Sequence, residues 1–315
     1  MIILGVESTA HTFGVGIITN EGKVLANELD SYTSPDKGMI LDEVANHHKL
    51  VAEKILQVAL VKANLTWEEI DLVAYSAGPG LDPVLWAGYH LAKKWATTNN
   101  KKLVGVNHCA AHLSIGKKIH NLKDPCYLYV SGVNTQIIVY EGGKYRVIGE
   151  TLDNGLGNML DKFARDLGLG FPGGPKIEQL AKTGKYIELP YTVKGMDVSF
   201  SGILTKLQQL YKKGHSKEDL CYSLQENCFA MLTEVVERAM AHTEKEELLL
   251  VGGVGANKRF CEMITIMCEE RGAKFFMVPM DLVRDNGAMI AWEGYLRKDQ
   301  LGDEGVKPHW RTDEV

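Results

Sequence analysis

Two stretches of the chain repeat one pattern, three apolar runs separated by two turns, and this repeat restricts the fold more than any other feature. The stretches are IILGVESTAHTFGVGIITNEGKVLANELD at residues 2–30 and CYLYVSGVNTQIIVYEGGKYRVIGETLD at residues 126–153. Each has a small polar turn after the first run and a Glu-Gly turn after the second, which is typical of a three-stranded antiparallel meander. Two copies in one chain predict two similar lobes that meet across a cleft.

Strand and helix patterns alternate after each meander. Helical periodicity marks residues 46–65, 82–98, 157–168, 216–247 and 285–298, and strand-like runs lie within residues 67–80, 101–108, 247–253 and 274–280. Ser216 is the predicted N-cap of the longest helix. This order predicts an α/β fold with a duplicated ribonuclease-H-like architecture. We place the first lobe at residues 1–122 and the second at residues 123–315, with a last helix able to pack back at the interface.

Composition indicates a globular protein of the cytoplasm. The chain has 315 residues, of which 45% are hydrophobic and 24% charged, and no apolar stretch is long enough to span a bilayer, so we expect no membrane association. Cys221 and Cys228 lie seven residues apart in a predicted helix, which separates them by about 10 Å of rise and excludes a disulfide. The net charge of −5 excludes a broadly basic nucleic-acid coat.

Glycine-rich and polar turns gather where we predict that strands run into helices. They lie at residues 7–9, 76–83, 131–135, 171–175, 251–257 and 284–288. Glycine lets a backbone approach a phosphate closely, and exposed N–H groups solvate its charge. The chain lacks both G-x-x-x-x-G-K-[ST] and G-x-G-x-x-G, which argues against a P-loop enzyme and a Rossmann dehydrogenase. The turns favour a nucleotide held between two lobes.

His108 and His112 lie four residues apart in GVNHCAAHLSIG, directly after an apolar run. On a helix, residues with this spacing share one face, so both imidazoles can point at one atom. Such a pair is a metal site or a coincidence of a surface or core helix, and the spacing alone does not separate the two.

Several motifs together resemble the family of tRNA threonylcarbamoyladenosine transferases, whose members were once labelled O-sialoglycoprotein endopeptidases. They are VESTAHTFGVGI, NHCAAH, YVSGVNTQ, DNGLGNMLDKFAR, FPGGPKIEQLAKTG, ELPYTVKGMDVSFSGILT, LVGGVGANKR and DNGAMIAW. They follow in order from the first strand to the last helix and are most similar to the archaeal and eukaryotic branch. The resemblance implies the two-lobed fold of the actin, Hsp70 and sugar-kinase superfamily.

The resemblance also implies a metal centre in the first lobe. In the family, residues matching His108, His112, Tyr129 and Asp285 bind one metal ion, and all four are present here. Two nitrogens and two hard oxygens suit iron, and zinc would also accept them. The metal would serve as a template and a Lewis acid.

Substrate contacts carry over from the family to the second lobe. They match Tyr129, Val130, Ser131, Gly132, Val133, Asp161, Gly174, Glu178 and Asn257. Carboxylates such as Asp161 and Glu178 are natural acceptors for ribose hydroxyls, although Asp161 can instead pair with Arg165 and Asn257 can simply cap a helix. Val133 replaces a usual glycine, so we expect backbone strain if this position requires positive φ.

The implied nucleotide ligand is ATP or the adenylate. The implied reaction transfers a threonylcarbamoyl group from threonylcarbamoyl-adenylate to N6 of the adenosine 3′ to the anticodon in tRNAs reading ANN codons. The implied partners are tRNA and the other KEOPS subunits, a small dimerisation subunit and an atypical kinase. The sequence identifies no general base. The alternatives are a small-molecule kinase of the same superfamily and a nucleotide-binding scaffold with weak activity. An H-E-x-x-H metalloprotease motif is absent.

Overall fold

The computed structural model describes residues 1–33 and 40–315, which form two compact units. The first unit is Met1–Asn121 with Arg284–Val315, and the second is Leu122–Val283. The second lobe, predicted at 123–315, therefore differs from the structure at its end, because residues 284–315 belong to the first unit. The last long helix lies there against the backbone of the first meander.

The first unit contains a five-stranded sheet covered by helices. Its strands are β1 (Ile2–Glu7), β2 (Thr12–Thr19), β3 (Val24–Ser31), β4 (Leu72–Gly78) and β5 (Lys102–Asn107). Its α-helices are α1 (Leu41–Ala63), α2 (Asp82–Thr98), α3 (His108–Ile119) and α9 (Gly287–Arg297), with short 3₁₀ turns at Trp67–Glu69 and Thr312–Glu314. The strand order is β3-β2-β1-β4-β5, with β1–β3 antiparallel and β4 and β5 parallel to β1.

The second unit repeats this topology. Its main strands are β6 (Cys126–Val130), β7 (Thr135–Glu141), β8 (Lys144–Glu150), β11 (Glu247–Val251) and β12 (Lys274–Met277). Its α-helices are α4 (Leu156–Asp166), α5 (Gly174–Ala181), α6 (Ser201–Lys212), α7 (Lys217–Thr243) and α8 (Lys258–Glu270), and the remaining elements are β9 (Val193–Lys194), β10 (Asp197–Val198) and a 3₁₀ turn at Gly253–Ala256. The order β12-β11-β6-β7-β8 is the first order read from the opposite edge. The predicted duplication is confirmed.

The predicted turns do not all join a strand to a helix. Residues 76–83 and 251–257 do so, but residues 7–9 and 131–135 join the first two strands of each meander, and residues 171–175 lie between α4 and α5. That prediction is therefore wrong in part. Because β1 is parallel to β4 and β6 is parallel to β11, the turns after these strands still lie at the carboxyl edges of the two sheets.

Each unit has its own apolar core. In the first unit, Val6 and Val15 on the sheet pack with Leu56 and Ala92 on α1 and α2. In the second, large residues of α7 such as Phe229 join Leu128 of the sheet. Full burial of such a side chain contributes roughly 1.5–3 kcal/mol. All six cysteines are free thiols, as expected from their spacing, and in the described ranges no helix has the length and apolar character to cross a membrane.

His48 on α1 is a buried histidine with a fixed partner. Its Nδ1 lies 2.9 Å from the Ser8 hydroxyl, which itself donates to the Val84 carbonyl at 2.9 Å. Ser8 has one proton to donate, so it accepts from His48 Nδ1. Burial lowers the pKa of His48 to about 4, because the charged imidazolium is disfavoured away from water.

We expect His48 to make the stability of the first unit depend on pH. In the unfolded chain its pKa is about 6.5, so below that pH the unfolded state binds a proton that the folded state does not. Stability should fall by about 3 kcal/mol as the pH drops from 6.5 to 4. Urea unfolding at pH 7 and pH 4.5 measures this, and His48→Asn should remove this contribution while His215→Asn, at an exposed site, should keep it. Equal pH dependence in both variants would contradict the assignment.

Candidate functional site

Three parallel strands bring the polar residues of the first unit to one edge. Glu7 ends β1 and Asn107 ends β5, and these strands flank β4 in the sheet. The Asn107 side chain accepts from the Ala110 N–H at 3.0 Å and so caps α3. Asparagine is among the preferred N-caps, which explains why the helix begins at His108.

His108, His112 and Asp285 come together at this edge. Asp285 Oδ1 lies 3.2 Å from His112 Nε2 and 3.5 Å from His108 Nε2, and one ligand atom of each residue lies within 4.8 Å of the others. Both histidines are buried. The two rings are 4.7 Å apart and nearly perpendicular, so both Nε2 atoms face the same carboxylate.

Glu7 holds His108 from the opposite side of the ring. Its Oε2 accepts from His108 Nδ1 at 2.9 Å, and its Oε1 accepts from the backbone N–H of Thr9 at 2.8 Å and from the Thr9 hydroxyl. Glu7 is fully buried, so both carboxylate oxygens are satisfied by protein donors. A carboxylate on the outer nitrogen fixes the tautomer and orientation of a metal-binding histidine, and it leaves His108 Nε2 for a ligand.

The charges of this group balance one another. Burial alone would lower the pKa of His108, but Glu7 and Asp285 outweigh it and raise that pKa to about 9. Burial lowers the pKa of His112. Burial opposes ionisation of Asp285, yet His108 and His112 hold its pKa well below its usual range. A divalent cation would therefore displace a proton from His108 Nε2 on binding.

Close backbone packing positions Asp285. Asn286 caps α9, because its side-chain oxygen accepts from the Met289 N–H at 3.0 Å. Its side-chain nitrogen also donates to the Arg284 carbonyl at 2.7 Å. Gly287 then lies directly on the sheet, where an added Cβ would stand 2.0 Å from the backbone N of Gly16. The contact of α9 with β1 and β2 thus carries Asp285 to the histidines.

The donor set fits a transition-metal ion. Metal–ligand bonds of about 2.1 Å place neighbouring ligand atoms roughly 3.0–3.5 Å apart, and the two His–Asp separations of 3.2 and 3.5 Å fall in this range. Two imidazoles and one carboxylate are typical of non-haem iron sites, and zinc accepts the same set. These three residues of the first unit could therefore hold such an ion.

Glu7→Gln should weaken metal binding while the fold is retained. Glutamine keeps the size of the side chain and an acceptor for His108 Nδ1 but removes the negative charge that makes this ligand more basic. Loss of such an outer partner typically costs 10–100-fold in metal affinity. Titration of the metal-free chain with Co²⁺ measures the effect, and Glu21→Gln, at an exposed turn, is the control. A dissociation constant within twofold of wild type would contradict the role of Glu7.

The predicted substrate contacts all lie in the second unit. Tyr129 and Val130 are buried at the end of β6, and the following turn lies against the start of α4. There the carbonyls of Ser131 and Gly132 accept from the N–H groups of Gly157 and Asn158 at 3.1 and 2.9 Å. The role of Tyr129 as a metal ligand stays a prediction.

Three of these residues make hydrogen bonds at helix N-termini. Asp161 accepts from the N–H of Gly173 at 2.7 Å, next to Gly174 at the start of α5. Glu178 accepts from the N–H of Lys258 at 3.0 Å, at the start of α8. Asn257 caps α8 by accepting from the Phe260 N–H at 3.2 Å, and its Nδ2 donates to Gln225 at 2.6 Å. The capping role that the sequence left open for Asn257 is therefore present, and a substrate role would be additional.

Val133 does not carry the strain expected for a replaced glycine. Outside glycine, positive φ among the described residues is confined to Asn64, Asn100, Asn121 and Glu244. The Val133 side chain is 70% exposed. The strain expected at Val133 is therefore absent, and a change to glycine would relieve none.

Sequence reasoning missed Glu7 and Gly287. Glu7 was assigned only to a polar turn, although a carboxylate that ends a wholly apolar strand is a signal for a buried partner. Gly287 gave no signal, because its role depends on a helix and a strand that are about 270 residues apart in the chain.

Comparison with known proteins identifies the family of the chain. The family profile described as tRNA N6-adenosine threonylcarbamoyltransferase matches residues 23–292. The enzyme of that name from Thermococcus kodakarensis is 55% identical over 322 residues, covering 100% of this chain and 98% of the relative. A probable bifunctional tRNA threonylcarbamoyladenosine biosynthesis protein from Methanocaldococcus jannaschii is 49% identical, covering 100% of this chain and 60% of the relative.

Solved structures support the fold assignment. Full-length HypF in its phosphate- and nucleotide-bound form superposes with a TM-score of 0.64 at 14% identity, covering 97% of this chain and 56% of that chain. An (R)-2-hydroxyglutaryl-CoA dehydratase component from Acidaminococcus fermentans superposes with a TM-score of 0.56 at 13% identity, over 94% of this chain and 98% of that one. These superpositions support the α/β fold with its duplicated sheets.

Proposed function

The chain belongs to the tRNA N6-adenosine threonylcarbamoyltransferase family, and on that premise we propose that it moves a threonylcarbamoyl group from its adenylate to N6 of the adenosine 3′ to the anticodon. The acceptors would be tRNAs that read codons beginning with A. The observation that carries the proposal is the buried group of His108, His112 and Asp285 in a chain that matches a named transferase from end to end.

The residues of the first unit would prepare a metal centre for this reaction. A bound ion, which we propose to be iron with zinc as the alternative, supplies a Lewis acid that orients and polarises a substrate oxygen. Glu7 orients His108, and the packing of α9 holds Asp285 in place. We propose Tyr129 as a further ligand on the strength of the family resemblance.

The residues of the second unit would bind the nucleotide of the adenylate. We propose contacts from Tyr129, Val130, Ser131, Gly132, Val133, Asp161, Gly174, Glu178 and Asn257. The carboxylates of Asp161 and Glu178 are natural acceptors for the ribose hydroxyls of such a nucleotide. In the transfer, the bond from N6 to the carbonyl carbon forms, the bond from that carbon to the phosphate oxygen breaks, AMP leaves and N6 loses one proton.

We further propose that the chain works in the cytoplasm as the catalytic subunit of a KEOPS complex, with a small dimerisation subunit and an atypical kinase. Six free thiols fit a reducing compartment. The net charge of −5 fits a subunit that depends on partners to hold tRNA. The family match favours group transfer over the small-molecule kinase alternative.

A transfer assay on two matched tRNAs tests the proposal. The full chain, with the other complex subunits, would receive threonylcarbamoyl-adenylate and an unmodified tRNA that reads ANN codons. The second tRNA would differ only by guanosine in place of the adenosine 3′ to the anticodon. We expect the modified nucleoside, detected by mass spectrometry, on the first tRNA alone. Phosphorylation of a small molecule without any transfer to tRNA would overturn the proposal.

A further inference from the structure

Asn107 joins the helix of the metal centre to the C-terminal segment, which we define as residues 301–315. Its side chain is buried, with 1% exposed. While Oδ1 caps α3, Nδ2 donates to the carbonyls of Trp310 at 3.1 Å and Arg311 at 3.2 Å. One amide therefore holds both the start of α3 and the end of the C-terminal segment.

Backbone hydrogen bonds fasten the same segment along β4 and β5. Gly105 donates to the Gly302 carbonyl at 2.8 Å, and Lys307 donates to the Ala77 carbonyl at 2.7 Å. Just beyond β4, Gly80 donates to the Pro308 carbonyl at 3.1 Å. These contacts lie on the strands whose carboxyl ends carry the metal centre, so the segment is part of that edge.

The sequence of β4 makes room for this approach. At Gly78, φ is +156°, and an added Cβ would stand 1.8 Å from the Lys307 carbonyl oxygen. Only glycine allows that contact. The Tyr75 hydroxyl also donates to the Gly305 carbonyl at 3.0 Å, and Trp310 is buried in the core of the first unit. The C-terminal segment is thus held to the first unit by the Tyr75 hydrogen bond to Gly305, by the close contact of Lys307 with Gly78 and by the buried side chain of Trp310.

We propose that Asn107 is a positioning residue for the metal centre and that it acts through the C-terminal segment. The inference rests on the proposed metal-binding function of His108, His112 and Asp285. His108 is the first residue of α3, so a shift at the N-cap moves its ring directly. If the Asn107 side chain bonded only to α3, its amide could shift together with the helix. Its two hydrogen bonds to carbonyls of the packed C-terminal segment fix the plane of the amide instead.

Asn107→Ser tests the inference in the full chain. Serine keeps a neutral N-cap acceptor for α3 but loses the two donors to the segment. We expect the dissociation constant for Co²⁺ to rise by about tenfold or more, as for other outer partners of metal ligands, and the visible absorption bands of the bound Co²⁺ to change. Asn99→Ser, which removes a donor to the Trp95 carbonyl in the same unit, should match wild type.

Gly78→Ala tests the contact between β4 and Lys307 of the C-terminal segment. The new methyl group should push Lys307 away and weaken Co²⁺ binding in the same direction. If both residues act through the segment, the double variant should bind Co²⁺ more tightly than the two single effects multiplied predict. An Asn107→Ser chain that is folded and has the wild-type dissociation constant and spectrum would overturn the inference.

Hydrogen exchange on the wild-type chain tests the coupling between metal binding and the C-terminal segment without any substitution that could disturb the fold. By linkage, a segment that strengthens metal binding must itself be stabilised by the metal. Zn²⁺ should therefore slow exchange at the N–H groups of Gly105 and Lys307, and unchanged rates with Zn²⁺ bound would count against the inference. A wild-type chain that binds Zn²⁺ in this way but, with the other complex subunits present, transfers nothing to tRNA with either Fe²⁺ or Zn²⁺ would refute the proposed reaction and leave this inference standing.

Discussion

The double variant His108→Ala/His112→Ala is expected to bind no metal under conditions in which the wild-type chain binds one ion. Both rings present Nε2 to Asp285 within 3.5 Å, so their removal leaves Asp285 as the one ligand of this group and takes away both nitrogen donors. Transfer to tRNA should fall at least about a hundredfold, because a metal contributes several kcal/mol of charge stabilisation and each 1.36 kcal/mol is a factor of ten.

Elemental analysis and the transfer assay measure the two effects on the same preparations. His120→Ala is the matched control, since it removes a histidine at the far end of the same helix and should keep both metal and activity. Far-UV circular dichroism on the same preparations checks that the fold is retained, because removal of His108 takes one partner from the buried Glu7 carboxylate. Full metal occupancy in the double variant would show that these histidines are not ligands.

Gly287→Ala should cause a large loss of stability in the first unit. The new Cβ would stand 2.0 Å from the backbone N of Gly16, 2.5 Å from the carbonyl carbon of Val15 and 2.7 Å from the carbonyl oxygen of Gly5. Backbone atoms cannot rotate away, so α9 must move off the sheet. We expect a cost of at least about 3 kcal/mol, at the upper end of the usual range for overpacking.

Urea unfolding followed by tryptophan fluorescence measures the free energy of unfolding of the first unit, because all five tryptophans lie in that unit. Gly202→Ala on α6 is the control for the chemical change itself. No atom of the surrounding structure lies within 4 Å of a Cβ there, and α6 belongs to the second unit, so the unfolding of the first unit reported by tryptophan should match wild type. A Gly287→Ala chain within about 1 kcal/mol of wild type would contradict the packing described for α9.

Local patterns predicted much of the fold. The apolar runs of both meanders became strands, the predicted helix at residues 82–98 has the same bounds as α2, and Ser216 caps α7 by accepting from the Asp219 N–H. These features depend on periodicity and turn chemistry within a few residues. The short helices α5 and α6 were not predicted, because each offers only two or three turns of pattern.

Long-range packing could not be predicted in the same way. The return of residues 284–315 to the first unit depends on close contact between Gly287 and the backbone of β1 and β2, which no local pattern encodes. The sequence and the family resemblance together selected His108, His112 and Asp285, and the structure brings these three together. The roles of Glu7 and Asn107 could not be predicted from local sequence, because they depend on the sheet that brings the ends of β1 and β5 together.

Transfer activity measured during metal add-back tests the central claim most directly. The metal-free chain, with the other complex subunits, the adenylate and tRNA, would be titrated with Fe²⁺ under reducing anaerobic conditions, and with Zn²⁺ in parallel. The account predicts that transfer rises with added metal and saturates at one ion per chain, and that His108→Ala/His112→Ala stays flat throughout. Full transfer by the metal-free chain, or metal-dependent transfer by the double variant, would contradict it.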